Sequence, residues 1–220
     1  MNILYFNKED NGEYAYIGII NDFLTDSTLD FLYNIEDFKG GTTSFGNIPR
    51  LQKWYQIDGQ YFSKTWKDQT MQRWTSHNYE PELLDIQDSI QSFINNLDIY
   101  KYNGIKKPFL NSCLINKYRT GQDSIRPHRD NQTTFGDNPT VIGVSYGDER
   151  DIVFNRIHYD PDKMNSIKPD RNNPEEIRVN LKSGSLFIMG GSIQKYFSHE
   201  VPKTESDNTR YSMTFRQFYE

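Results

Sequence analysis

The sequence predicts an α+β fold whose core is a β-sandwich or jelly roll. Helical periodicity is confined to the N-terminal half of the 220-residue chain, whereas many short strand-like segments separated by turn residues follow residue 111. The chain has no internal repeat and no low-complexity linker. Its length fits a single domain over residues 1–220.

Two segments have the apolar spacing of helices. The first is predicted over about residues 27–35, with Thr25, Asp26 and Ser27 as the N-cap candidates. The second begins at Pro81, a favourable first helical residue, and extends to about Leu97. The apolar residues of this second helix recur with the helical period: Leu83, Ile86, Ile90, Phe93, Ile94 and Leu97.

Strands are predicted through the C-terminal half. The segments with strand character are 111–118, 140–146, 151–157, 176–181, 185–190, 195–201 and 210–218. Alternation is clearest in the last segment, where Tyr211, Met213 and Phe215 alternate with polar residues. Residues 158–175, rich in Asp, Pro, Asn and Lys, are predicted to form a long exposed loop.

The composition indicates a folded protein of a reducing compartment. Cys113 is the only cysteine, so an internal disulfide is excluded. No segment approaches the roughly 18 apolar residues of a membrane span, and the N-terminus lacks the apolar core of a signal peptide. We therefore expect an intracellular protein, cytoplasmic or nuclear, that is not secreted, has no membrane partner and is by default a monomer.

Charge is spread unevenly along the chain. The net charge is −5, which argues against strong nonspecific binding of nucleic acid. Residues 101–130 nevertheless carry seven basic residues against two acidic ones, and residues 48–75 carry five against two. These segments permit local phosphate contacts, although an ordinary mixed surface explains the charges equally well.

Two potential metal ligands stand together at His128 and Asp130. Side chains alternate along an extended segment, so these two lie on the same face. With a third, distant histidine they make the set of two imidazoles and one carboxylate that non-haem iron oxygenases use, leaving positions open for a co-substrate and oxygen. The pattern of His and Asp alone is a weak signal.

The last predicted strand strengthens this signal. Arg210, Ser212, Thr214 and Arg216 share one face, and two guanidiniums inside a β core are costly unless they meet anions. A dicarboxylate such as 2-oxoglutarate supplies two carboxylates of the forked geometry that arginine prefers. Asn116 and Tyr118, two residues apart on an earlier strand, offer an amide and a phenol to the same ligand.

These motifs resemble those of the AlkB-type dioxygenases, which remove alkyl groups from nucleic-acid bases. The resembling stretches follow in the family's order: 111–118, 128–130, 144–147, 184–189, 199–202 and 210–216. The nearest likeness is to the animal enzymes that repair methylated DNA and RNA. Residues 49–51, 54–55 and 61–63 extend it to the family's nucleotide-recognition lid.

The resemblance implies a cupin-like double-stranded β-helix, or jelly roll, over about residues 110–220, with N-terminal helices and a lid over about 40–75. It assigns the Fe(II) ion to three residues: His128, Asp130 and His199. It assigns 2-oxoglutarate to a second group, of which Thr214 is the weakest member: Asn116, Tyr118, Arg210, Thr214 and Arg216.

The implied reaction is oxidative dealkylation. With O2, 2-oxoglutarate is decarboxylated to succinate, an N-methyl group is hydroxylated, and the resulting hemiaminal releases formaldehyde. The protein's part is to position the methyl group and keep the site dry.

The implied substrate is a base flipped out of a duplex or taken from a single strand. Phe62 is then expected to stack on the base opposite His128, while Arg50 and Tyr55 contact phosphate or the base edge. Phe45 is a candidate wedge. The alternative is that the lid aromatics belong to the core.

Two departures from the family pattern bear on the substrate. The enzymes that the chain most resembles carry an acid directly after the metal aspartate, but Asn131 stands here, followed by Gln132. Without that negative charge, the sequence no longer predicts a preference for cationic bases, and a neutral methylated base becomes a more plausible substrate. The segment 202–208 has one lysine against two acids, which favours single-stranded DNA or RNA.

Three alternatives stay open at this point. The same chemistry could hydroxylate a protein side chain or a small molecule. The fold could instead serve as a non-catalytic nucleic-acid-binding module, or be a jelly-roll domain whose motifs are coincidental. Binding of 2-oxoglutarate would distinguish the hydroxylase from the binding module and from the domain with coincidental motifs. Salt-dependent affinity for oligonucleotides would identify a nucleic-acid partner.

Overall fold

The computed structural model describes residues 1–43, 46–57, 76–130, 132–163 and 166–219. Its strands, in chain order, are β1 (Asn2–Lys8), β2 (Tyr14–Ile20), β3 (Thr42–Thr43), β4 (Gly46–Asn47), β5 (Leu51–Gln56), β6 (Ser112–Tyr118), β7 (Ile125–His128), β8 (Val141–Gly147), β9 (Arg150–Arg156), β10 (Glu176–Leu181), β11 (Leu186–Gly191), β12 (Phe197–Val201) and β13 (Arg210–Arg216). Its α-helices are α1 (Asp26–Leu29), α2 (Pro81–Asn95), α3 (Gln132–Phe135) and α4 (Ile193–Tyr196). Two 3-10 helices span Asp30–Asn34 and Asp98–Lys101.

Two antiparallel sheets form the core. The larger sheet has the order β1-β2-β11-β8-β13-β6-β5, and the smaller has the order β10-β9-β12-β7. From β6 to β13 the chain visits both sheets in the winding of a jelly roll, with β11-β8-β13-β6 facing β10-β9-β12-β7. The jelly-roll core predicted from the sequence is therefore confirmed.

Strand β13 shows how residue alternation divides the interior. Tyr211, Met213 and Phe215 are buried in the apolar cluster on the outer side of the larger sheet. The residues between them line a cavity on the inner side: Arg210, Ser212, Thr214 and Arg216. Because neighbouring side chains of a strand point to opposite faces, the strand separates the outer hydrophobic core from the pocket, to which it contributes two arginines and two hydroxyl groups.

Helix α2 covers the outer face of the larger sheet. Leu83, Ile86, Ile90 and Ile94 are buried at helical spacing and join that outer cluster. The helix begins at Pro81, as predicted, and ends at Asn95. A second apolar cluster fills the space between the sheets at the end formed by β2, β9, β10 and β11. Some of its residues, among them Ile152, Phe187 and Met189, also line the adjoining pocket.

The N-terminal third departs from the sequence prediction. Instead of one helix over 27–35, α1 ends at Leu29 and a 3-10 helix follows. The buried residues Leu29 and Leu32 are three apart, which matches the 3-10 period better than the α-helical one. Strands β1 and β2 were not predicted, because the uniformly apolar β2 lacks alternation.

Helices of the described ranges are all too short or too polar to cross a membrane.

Candidate active site

Two histidines meet across neighbouring strands of the smaller sheet. Strand β7 pairs with β12 so that His128 lies directly opposite His199, and their ring centroids are 4.2 Å apart. Asp130 follows β7 by two residues. One potential ligand atom from each of these three side chains lies within 4.8 Å of the other two. The structure thus brings together the three residues that the sequence predicts as metal ligands.

The protonation states of these residues suit a metal ion. Burial, together with the adjacent His128, lowers the pKa of His199 to about 3. Burial also lowers the pKa of His128. Burial by itself would raise the pKa of Asp130, but Arg216 and the two neighbouring histidines together outweigh burial, so the net pKa is lowered. Neutral imidazoles beside an ionised carboxylate are the forms that coordinate metals.

Asp130 is held from two sides. Arg216 donates its Nε to Oδ2 of Asp130 at 3.1 Å and its Nη2 to Oδ1 at 3.3 Å. Gln194 accepts the backbone N–H of Asp130 on Oε1 at 2.7 Å and donates its Nε2 to Oδ2 at 3.2 Å. These contacts leave the carboxylate little rotational freedom.

The pocket has a second cationic group at Arg210. Its side chain is almost fully buried, its Nε donates to Ser145 Oγ at 2.9 Å, and its guanidinium lies 5.0 Å from the centroid of the Tyr118 ring. Nη1 of Arg210 is buried with no hydrogen-bond partner among the described residues. Leaving a charged N–H buried and unpaired is costly, so this atom fits a carboxylate ligand.

Asn116 lies between these two ends of the pocket. Its Oδ1 accepts one hydrogen bond from Arg50 Nε at 2.9 Å and another from Gln52 Nε2 at 3.0 Å. With both bonds made to Oδ1, the amide nitrogen is the group of Asn116 that remains to donate to a ligand.

Apart from Gln194, which contacts Asp130 from behind, the groups described above line one cavity of about 290 Å³. Arg210 and Arg216 are six residues apart on β13, so their Cα atoms are separated by about 20 Å at the usual strand rise. The two guanidiniums therefore serve opposite ends, with Arg216 beside the His–Asp–His cluster. Every residue that the resemblance assigns to 2-oxoglutarate lines this cavity: Asn116, Tyr118, Arg210, Thr214 and Arg216.

Tyr55 requires a correction. The side chain is fully buried in the outer apolar cluster, and its hydroxyl donates to Glu80 Oε1 at 3.0 Å. Alternation along β5 turns Gln52 and Trp54 toward the inner side of the sheet and Tyr55 toward α2. Tyr55 is thus a core residue, and the prediction that it contacts substrate is wrong.

The other predicted substrate residues have different outcomes. Arg50 does line the cavity, but its guanidinium is engaged by Asn116 and by the carbonyl of Ser124, at 3.2 Å. Phe62, Asn131 and the candidate wedge Phe45 lie outside the described residues, as does most of the predicted lid. Their roles stay predictions.

Three residues that line the pocket or hold its ligands were not predicted from the sequence. Ser145 and Gln52 stand on strands that flank the pocket, and alternation along β8 and β5 is the signal that finds them. Gln194 has no such signal. Its contact with Asp130 spans 64 residues and comes from a one-turn helix, so no local pattern predicts it.

Comparison with known proteins gives a family-level match. Residues 19–216 match the model of the 2OG-Fe(II) oxygenase superfamily. Two solved structures share the fold: "The structure of OsALKBH1", with a TM-score of 0.57 at 15% identity over 91% of this chain and 97% of that chain, and an oxidoreductase of the 2OG-Fe(II) oxygenase family from Burkholderia pseudomallei, with a TM-score of 0.54 at 14% identity over 86% of this chain and 76% of that one.

Curated proteins add closer sequence similarity. The chain is 29% identical to the DNA oxidative demethylase ALKBH2 of Arabidopsis thaliana over 64% of this chain and 46% of that protein. It is 29% identical to the alpha-ketoglutarate-dependent dioxygenase alkB homolog 3 of Bos taurus over 78% of this chain and 52% of that protein. The chain thus spans about half the length of these relatives. The similarities confirm the predicted resemblance to AlkB-type proteins.

Proposed function

Because the chain belongs to the 2OG-Fe(II) oxygenase superfamily, we propose that it is an Fe(II)- and 2-oxoglutarate-dependent dioxygenase that removes alkyl groups from bases in DNA or RNA, with single strands preferred. One observation carries the proposal. The His–Asp–His cluster shares its cavity with Arg210, a buried arginine with one N–H that has no partner within the described part of the chain. A metal site and a carboxylate site in one pocket are what a 2-oxoglutarate oxygenase requires.

The proposed iron ligands are His128, Asp130 and His199. When bound with 2-oxoglutarate and O2, iron supplies the oxidation that hydroxylates an N-methyl group, which then leaves as formaldehyde while 2-oxoglutarate becomes succinate and CO2. The protein holds its two imidazoles neutral and its carboxylate ionised, so the ligands need not release protons before a metal binds.

Co-substrate binding is proposed to centre on Arg210. Its unpaired Nη1 is the donor for the distal carboxylate of 2-oxoglutarate, and the Nε bond to Ser145 fixes the plane of the guanidinium. Tyr118 lies against that guanidinium and adds a phenol to the same region. Asn116 is oriented by the hydrogen bonds that its Oδ1 accepts from Arg50 and Gln52.

The proposal of a nucleic-acid substrate rests on similarity. The relative from Arabidopsis thaliana is named for the oxidative demethylation of DNA. The lid residue Phe62 is proposed to stack on the target base, and Asn131 to shift the preference from cationic toward neutral methylated bases. The turn before β13 exposes Lys203 between acidic neighbours, which supports single-stranded over duplex substrates.

The test is a panel of short methylated oligonucleotides incubated with protein, Fe(II), ascorbate and 2-oxoglutarate. The panel covers single- and double-stranded DNA and RNA, each with cationic and with neutral methylated bases, and mass spectrometry follows every strand. His128→Ala is the control, because it removes one proposed metal ligand. We expect loss of a methyl group from single strands with wild-type protein and none with the control.

Other outcomes redirect the proposal. Turnover of 2-oxoglutarate without loss of methyl from any oligonucleotide would contradict the nucleic-acid substrate and direct the search to protein or small-molecule substrates. No turnover in protein that demonstrably holds iron would contradict the catalytic proposal and leave a binding module.

A further inference from the structure

A buried glutamine outside the proposed ligand set is bonded to the metal aspartate. Gln194 lies in the one-turn helix α4 between β11 and β12 and is 5% exposed. Its side-chain amide bonds both the backbone N–H and the carboxylate of Asp130. We infer that Gln194 is a positioning residue that fixes how Asp130 presents its carboxylate to the metal. The inference rests on the metal site of the proposed function.

The direction of the Gln194 amide is determined by its partners. The backbone N–H of Asp130 can only donate, so the amide atom 2.7 Å from it is Oε1. The amide nitrogen is then the atom that faces Oδ2 of Asp130, at 3.2 Å. Flipping the amide would set two donors against each other and two acceptors against each other. The Gln194 amide therefore bridges the main chain and the carboxylate of Asp130, and it can do so in only one orientation.

The remaining acceptor capacity of Asp130 identifies the oxygen that is free for a metal. Oδ2 accepts from Gln194 Nε2 and from Arg216 Nε, which uses its two lone-pair directions. Among the residues that the structure describes, Oδ1 accepts only from Arg216 Nη2, at 3.3 Å, which leaves one of its lone-pair directions to a metal. We thus expect Asp130 to bind through Oδ1 alone, as a monodentate ligand.

Helix α4 is itself anchored, so Gln194 is held in place. Ile193 and Tyr196 are buried in the apolar cluster between the sheets. Lys195 pairs with Glu13 at 2.9 Å and with Asp137 at 3.2 Å. A buried amide on a fixed helical turn can orient a metal ligand as second-layer hydrogen bonds do in other metal sites.

The test replaces the amide without changing the size of the side chain. Gln194→Met is unbranched and of similar length, and it removes both hydrogen bonds to Asp130. Gln194→Asn, which keeps an amide but shortens the reach, is the second variant if the first folds poorly. The matched control is Gln87→Met, because Gln87 is a buried glutamine of α2 that accepts a hydrogen bond from Tyr79 far from the pocket.

The measurement is the affinity of each apoprotein for Co(II), titrated by calorimetry without 2-oxoglutarate, with the visible spectrum of bound Co(II) recorded in parallel. We expect Gln194→Met to weaken Co(II) binding about 10- to 100-fold and to alter the spectrum, because Asp130 becomes free to rotate. The affinity of Gln194→Asn for Co(II) should lie between those of Gln194→Met and wild-type protein. Gln87→Met should bind Co(II) like wild type despite a loss of thermal stability.

Unchanged affinity and an unchanged spectrum in both Gln194 variants would overturn the inference. An equal loss in Gln87→Met would also overturn it, because the effect would then be one of general stability. If wild-type protein binds no Co(II), the proposed metal site fails as well, which distinguishes that failure from a failure of the role of Gln194 alone.

Discussion

Arg216 and Asp130 form a two-point salt bridge inside the pocket, with Nε to Oδ2 at 3.1 Å and Nη2 to Oδ1 at 3.3 Å. Their side chains are only 9% and 8% exposed, so solvent screens the pair weakly. Although the resemblance assigns Arg216 to 2-oxoglutarate, its closest partner here is the proposed metal ligand. Arg216 thus acts on the aspartate in addition to any contact with the co-substrate.

Arg216→Lys separates these two roles. Lysine keeps the charge but cannot form the two-point contact, so Asp130 is held less firmly. We predict about 10-fold weaker Co(II) binding even without 2-oxoglutarate, measured by calorimetry on the apoprotein. If the affinity changed only when 2-oxoglutarate was present, Arg216 would be a co-substrate ligand and not a support for Asp130.

Arg210→Met should weaken the binding of 2-oxoglutarate without changing the binding of the metal. The variant removes the unpaired donor proposed for the distal carboxylate of 2-oxoglutarate, at a cost of about 3 kcal/mol, or roughly 100-fold in affinity. Calorimetric titration of 2-oxoglutarate into Co(II)-loaded protein measures this loss. Ser145→Ala, which removes only the hydroxyl that orients Arg210, should show a loss of several-fold. Equal 2-oxoglutarate affinity in wild type and Arg210→Met would refute the assignment.

Tyr55→Phe should change stability without changing substrate binding. The variant removes only the hydroxyl that donates to Glu80, and the ring stays in the apolar cluster. We predict a loss of about 1 kcal/mol in the free energy of unfolding by urea and an unaltered KM for a methylated oligonucleotide. A raised KM with unchanged stability would restore the original prediction that Tyr55 contacts substrate.

Asp123 gives the stability of the protein a pH dependence. Its carboxylate accepts three hydrogen bonds from Arg119, at 2.9, 2.8 and 2.8 Å. Burial alone would raise the pKa of Asp123, but the bonds and charge of Arg119, together with the charge of Arg150, outweigh burial and lower the pKa below its ordinary value of 3.8. Because the folded pKa is the lower one, the contribution is complete above about pH 4 and is lost as the pH falls through the folded pKa.

Asp123→Asn tests this linkage. We predict a loss of about 2 kcal/mol in the free energy of unfolding at pH 7, and a difference from wild type that shrinks steadily below pH 4. Urea unfolding at both ends of that range measures the difference, and Asp207→Asn, at an exposed position before β13, serves as the control. A difference that stayed constant between pH 7 and pH 3 would mean that the charge of Asp123 contributes nothing.

The sequence predicts best where a local period reports on burial. The alternation of β13 predicts which of its side chains enter the pocket, and the pairing of His128 with Asp130 predicts two of the proposed ligands. Tyr55 shows the limit of this reasoning. Its neighbour Trp54 is also aromatic, so the residue pattern of β5 does not reveal which of the two faces inward.

Long-range contacts account for most of what the sequence did not predict. Strand β2 is apolar on both faces because it lies between β1 and β11 and is covered on both sides, so it shows no alternation. Gln194 reaches Asp130 only because the winding of the jelly roll brings α4 beside the end of β7. Neither fact is encoded within a short window of residues.

In the proposed function, the His–Asp–His cluster couples 2-oxoglutarate turnover to dealkylation of a base. The most direct measurement counts three products in one reaction of wild-type protein with Fe(II), O2, 2-oxoglutarate and a methylated single-stranded oligonucleotide: succinate, formaldehyde and the demethylated base. We expect wild-type protein to form succinate, formaldehyde and demethylated base in equal amounts, and His128→Ala to yield none of the three. Succinate without formaldehyde for every oligonucleotide, or full product yield from His128→Ala, would contradict it.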